Sequence, residues 1–163
     1  MKASASTRPE YWLAAVWLAA HLPSLAPSLE DIDSIDFALG LRHFDPALHQ
    51  PHPPGYPVFI ALGRLSLAVV SRMHASQDSV ALAALALAIC SAIGGAIAIV
   101  ATAAFFRALA GDGLWRGDGS GHDNPPGRAP GGAAFWGTAL TAAAPLVWMT
   151  GLRPMSDMAG LAA

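Results

Sequence analysis

The acids Glu30, Asp31, Asp33 and Asp36 are followed, a short distance along the chain, by Asp45-Pro-Ala-Leu-His49-Gln-Pro-His52-Pro-Pro-Gly-Tyr56-Pro57. These residue types allow three kinds of chemistry. In a helix Asp33 and Asp36 stand three apart and share one face. Two neighbouring carboxylates repel as anions, which favours taking up a proton, the property a general base uses on a hydroxyl. The competing reading is a solvated acidic first turn, which the helix dipole favours. His49 and His52, with a nearby carboxylate, have the donor types of a zinc or manganese site; the competing reading is an ordinary polar loop. His52 and Tyr56 can also hydrogen-bond a phosphate, and Arg42, Arg64 and Arg153 offer guanidinium forks of matching geometry. Five prolines fix φ and remove backbone donors through the loop, so it has few conformations to lose and can hold side chains in place.

The rest of the chain says what must position this loop. Of 163 residues 54% are hydrophobic and 12% charged, about half the charged share usual in soluble domains. The net charge of −2 supplies no basic field, so no nucleic-acid partner is expected. Walker A, GxGxxG, GxSxG and HExxH spacings are all missing, which argues against soluble nucleotide, α/β-hydrolase and zincin chemistry. The single cysteine, Cys90, lies in an apolar run and has no intrachain partner for a disulfide.

Apolar runs long enough to span a bilayer, which needs about 20 residues, occur at 79–106 and 133–152. A third helix is expected over 11–29, preceded by Lys2 and Arg8 and interrupted by Pro23 and Pro27. A signal anchor is the preferred reading there over a cleaved signal peptide. The segment 58–72 carries Arg64 in its middle, which disfavours a simple span and suggests an interfacial helix. Residues 107–132 have no periodicity and read as a flexible loop; its His122-Asp123 pair is expected to be solvated. These assignments predict an all-α, polytopic membrane protein with an external loop over 30–57. Lys2, Arg8, Arg107, Arg116 and Arg128 then fall inside and the loop faces outside, together with Arg153-Pro-Met-Ser-Asp157. The chain ends on apolar residues straight after that polar cluster, so it is expected to be the front part of a larger protein.

With Asp33-Ser-Ile-Asp36-Phe-Ala after a first membrane helix, and His49-Gln-Pro-His52-Pro-Pro-Gly-Tyr-Pro57 before the next, the chain resembles the N-terminal region of the GT-C superfamily. These are multi-spanning, polyprenyl-phosphate-dependent glycosyltransferases. The protein O-mannosyltransferase-like and aminoarabinose-transferase-like branches are the most similar. The likeness covers residues 10 to 160, and the proline element is its specific part. The resemblance implies an inverting transfer of a sugar from a polyprenyl-phosphate donor to a hydroxyl of a protein, lipid or glycan acceptor. Asp33 matches the family's catalytic aspartate, but Ser34 stands where an acid is usual, which leaves the base open between Asp33 and Asp36. His52, Tyr56, Arg64, Arg153 and Asp157 would bind substrate or phosphate. Some relatives use a divalent metal, for which His49 and His52 are the candidates. The resemblance also implies a bacterial inner (plasma) membrane location, with the active-site loop outside and the lipid bilayer as partner. The fragment alone would be inactive. The rival from another class is a non-catalytic membrane protein, a transporter segment or assembly subunit.

Overall fold

The computed structural model describes residues 9–26, 28–74, 78–111 and 130–154, with Asp157 and Leu161. Lys2, Arg8, Pro27, Ser156 and the stretch 112–129, with its His122-Asp123 pair, Arg116 and Arg128, lie outside the described residues.

A single long helix organises the chain. Helix α4 (Ser79–Gly111) has 33 residues and no charge before Arg107. Alanine, the best helix former, recurs through it, and at 1.5 Å per residue it is about 50 Å long. Helices α1 (Pro9–His21), α2 (Ile32–Arg42), α3 (Pro57–Met73), α5 (Pro130–Ala143) and α6 (Pro145–Leu152) all pack on it. Its C-terminal part carries α1, α5 and α6. Helix α1 is antiparallel to α4: Glu10 pairs with Arg107 at one end and Trp17 meets Gly95 further along. Ala14, Trp17, Ile99 and Ala142 form the buried centre of this bundle. The N-terminal part of α4 extends past α1 and carries α2 and α3 around Phe37, Ala38, Leu41, Phe59, Ile60, Ala83 and Leu87.

The two ends of the bundle are therefore chemically different. At one end lies the buried Glu10 carboxylate with its Arg107 partner. Toward the other, Trp17 sits where Gly95 and Gly151 leave room, because a Cβ at either glycine would fall within the indole. His21, fully buried, stacks on Trp17 at 3.6 Å and leans on Trp148 at 4.2 Å. Its ring nitrogens lie 2.8 Å from the Trp17 carbonyl oxygen and 3.2 Å from that of Trp148. The imidazole of His21 is thus held by two carbonyls and two indoles.

Several boundaries differ from the sequence expectation, each at a proline or a cap. The helix expected over 11–29 ends at His21, and a 3-10 turn at Leu22–Ser24 contains Pro23. The expected external loop over 30–57 contains the 11-residue α2, which puts Asp33 and Asp36 in a helix. The helix expected to end at 106 runs on to Gly111 and brings Arg107 to Glu10. The run 133–152 is two helices, because Pro145 has no N–H to donate and holds Ala144 extended at φ −62°, ψ 132°. Helix α3 follows its expected 58–72 range within a residue at each end. Among the described residues one helix, over Ser79–Leu109, is long and apolar enough to cross a membrane.

Candidate functional site

The acids preceding α2 do different jobs. Asp31 is the N-cap: its carboxylate accepts from the Ser34 backbone N–H at 2.7 Å, and Ser34 Oγ accepts from the Asp31 N–H at 3.3 Å. This reciprocal capping box satisfies two donors that the first turn leaves over. Glu30 accepts from Ser28 Oγ at 3.2 Å and lies 3.9 Å from Arg153 Nη2. Capping thus sets the register of α2, with Asp33 in its first turn, where the dipole favours an anion, and Asp36 one turn on. Both are left without a backbone duty among the described residues.

The proline loop brings the third member. Asp45 and Gln50 form an antiparallel bridge, with Asp45 N–H donating to Gln50 O at 2.7 Å and Gln50 N–H to Asp45 O at 2.9 Å. Between them the Asp45 carboxylate caps a short 3-10 turn at the Ala47 N–H, 3.0 Å away. His49 and Tyr56 both take positive φ, 54° and 46°, and Gly55 stands at 88°. Left-handed non-glycine residues cost energy and gather at functional sites. Pro51 is fully buried against Gly40 of α2, and Gly55 N–H donates to His52 O at 2.9 Å.

This packing carries His52 to α2. Its Nδ1 lies 3.5 Å from Asp36 Oδ2 and 3.9 Å from Asp33 Oδ1, buried and without a hydrogen-bond partner. The ring rests on an aromatic cluster: His52 meets Tyr56 at 5.4 Å, and Phe37 meets Tyr56 edge-on at 5.2 Å and Phe59 at 5.0 Å. Edge-to-face contacts of this kind fix ring planes as well as bury area. Asp33, more than half exposed, faces outward from the group, whereas Asp36 and His52 are mostly covered.

Other sequence candidates are placed elsewhere. Arg64 donates from Nε to Leu41 O at 3.0 Å and from Nη2 to Gly40 O at 3.1 Å, closing the carbonyl end of α2. A cation at a helix C-terminus complements its dipole, which is a physical reason for an arginine in the middle of α3. Arg42 donates to Ser79 Oγ at 2.9 Å and ties α2 to the start of α4. Arg153 reaches Glu30, three residues before Asp33, so its guanidinium comes to the same end as the acids. His49 and Asp157 are exposed. Among the described residues no three His, Cys, Asp or Glu side chains converge as a metal ion requires. Sequence reasoning missed Ser34 and Gly40. The Asp31-x-x-Ser34 spacing was a usable cap signal; the Gly40–Pro51 contact had none, because it joins distant segments.

Residues 45–154 match the family model described as the protein O-mannosyl-transferase TMEM260 N-terminal domain, over two-thirds of the chain. The chain belongs to this family. The match takes in the whole proline loop, Arg64 and Arg153; Asp33 and Asp36 lie ahead of it. Within this O-mannosyltransferase family domain, the matched loop is the element that delivers His52 to the two unmatched acids. No curated protein and no solved structure matches the chain.

Proposed function

We propose that this chain is the N-terminal, site-bearing part of a GT-C-type membrane mannosyltransferase. It moves a mannosyl group from a polyprenyl-phosphate carrier to a hydroxyl of an acceptor protein, outside the plasma membrane of a bacterium. The observation that carries the reading is the meeting of Asp33, Asp36 and His52 at the bundle end where Arg153 also arrives, in a chain of an O-mannosyltransferase family.

The chemistry follows from the residues at hand. An acceptor hydroxyl approaches the exposed Asp33 carboxylate, which takes its proton as the oxygen attacks the anomeric carbon. The bond from that carbon to the phosphate oxygen breaks with inversion, and its electron pair leaves on polyprenyl phosphate. Arg153 and the Tyr56 hydroxyl would donate to the charge that develops there. A divalent metal, if the site takes one, would be held by His49 and His52; loss of transfer in chelator would give them that role.

The membrane arrangement in this reading has α4 as one span, α1 as a second and α5 with α6 as a broken third, with α2 and the proline loop at the external surface. Exposed Val16, Leu65, Leu140 and Leu146 would then face lipid. Between α3 and α4 an apolar groove of about 490 Å³ runs from Val58, two residues past Tyr56, along Leu62, Val69 and Ile97. Its lining suits an isoprenoid chain. The helices that complete the donor and acceptor cavities belong to the rest of the full-length protein, and the fragment by itself would be inactive.

The test is mannosyl transfer by the full-length protein in membranes, from radiolabelled polyprenyl-phosphate mannose to acceptor peptide. Asp33→Asn should lower transfer about 10²–10⁴-fold, the usual span for a lost general base, while membrane insertion is unchanged. Transfer by Asp33→Asn at the native rate would remove Asp33 from the mechanism.

A further inference from the structure

The two acids and His52 form an unequal group, and that inequality divides their roles. Resting on the reading above, we propose that His52 is a positioning residue: its Nδ1–H holds the Asp36 carboxylate to the proline loop, and Asp33 is left free to meet the acceptor.

Four observations lead there. First, His52 Nδ1 is closed off from solvent and faces two carboxylate oxygens, that of Asp36 0.4 Å nearer than that of Asp33. A ring nitrogen presenting a lone pair to two anions would be repelled, so the hydrogen sits on Nδ1 whatever the charge of the ring. Second, exposure separates the acids: the Asp36 side chain is 20% exposed and that of Asp33 55%. The covered carboxylate is the one that gains most from a donor, and the open one has room for a substrate. Third, the ring cannot readily turn away. Phe37 and Tyr56 pack against it, the His52 carbonyl holds the Gly55 N–H, and Pro51 just before it is buried on Gly40. Fourth, the other cations stand apart from the two acids: Arg64 donates to the α2 carbonyls, Arg42 to Ser79, and Arg153 lies beside Glu30. Among the described residues His52 is the basic group within ion-pair range of either acid.

A gap of 3.5 Å is longer than a direct hydrogen bond, and a movement of about 0.6 Å closes it. Contacts of catalytic groups commonly tighten in this way when substrate binds. Without the donor the two carboxylates lean apart by mutual repulsion, and the loop loses its link to the face of α2 that carries both.

Substitutions at position 52 separate this role from direct contact with substrate. An asparagine amide nitrogen reaches the place of Nδ1, and a glutamine amide nitrogen the place of Nε2. In the full-length protein, His52→Asn should keep kcat within about threefold of native, while His52→Gln and His52→Ala lower it roughly 10- to 100-fold with KM for the lipid donor little changed. The reverse pattern, rescue by glutamine and not by asparagine, would assign His52 to substrate through Nε2 and overturn the proposal. Equal effects of all three would overturn it as well. A second readout needs no transferase activity: melting midpoints in detergent for His52→Asn, Asp36→Asn and Asp33→Asn, alone and in pairs, and for His52→Gln with each. His52→Gln and Asp36→Asn should be less than additive, and His52→Gln and Asp33→Asn additive. Additivity with Asp36 refutes the clamp even if the protein proves not to be a transferase, and a silent native enzyme with intact coupling refutes only the transferase reading.

Discussion

Gly40→Ala tests whether the proline loop is held in place by its contact with α2. Gly40 lies inside that helix, where an alanine would ordinarily gain about 1 kcal/mol in helix propensity. Here the added Cβ would lie 2.8 Å from Pro51 Cδ and 3.1 Å from both Pro51 N and Ile60 Cδ1. The first contact is with a rigid ring and the second with backbone, and Pro51 is fully buried, so neither yields by a rotamer change. Pro51 must retreat by about 0.6 Å to restore ordinary van der Waals distance, and His52, the next residue, goes with it. Overpacking of a closed site costs about 1–3 kcal/mol. With a rigid partner the upper part of that range applies, so the clash wins over propensity by about 1–2 kcal/mol. For a chain of this length that is a fall in melting midpoint of roughly 2–8 °C, measured in detergent by circular dichroism. The control is Gly132→Ala, where a Cβ meets nothing within 4 Å. Transfer should fall with Gly40→Ala and not with Gly132→Ala, since the His52–Asp36 gap opens from 3.5 Å to roughly 4 Å. A Gly40→Ala protein that melts at or above native would refute the packing argument.

Two further substitutions probe the bundle. Trp17, 3% exposed and seated between Gly95, Gly151 and His21, should cost about 3–5 kcal/mol when changed to alanine, read as a lost or strongly lowered unfolding transition. Arg107→Met strands the buried Glu10 carboxylate and should cost about 3 kcal/mol, and adding Glu10→Gln should recover part of it in a double-mutant cycle.

How much was legible beforehand depended on the range of the interactions. Helix content came from local signals: apolar runs, Ala-rich composition and proline breaks. Asp33 and Asp36 stood out as candidates by their spacing, and His52 and Tyr56 by the proline frame around them. What escaped depended on contacts between distant segments. Arg64 looked like a phosphate ligand because its planar fork matches phosphate oxygens; its partners are carbonyls 23 and 24 residues earlier. The 30–57 stretch looked like a loop because its acids and prolines hide an 11-residue helix whose apolar side, Phe37, Ala38 and Leu41, finds cover on other helices. The 133–152 run is continuous in hydrophobicity, and the break at Pro145 comes from its missing N–H and the extended residue before it.

One consequence of α4 reaches past packing. The same helix holds the loop-bearing cluster at Ala83 and Leu87 and the α1 bundle at Gly95 and Ile99, so its turns set the angular phase between the two halves. A residue inserted between Leu87 and Gly95 would rotate one half against the other by about 100° and shift it about 1.5 Å along the axis. The acids would then point around the bundle, away from Arg153, with every local contact at either end intact. Helix length, more than any side chain, is what aims this site.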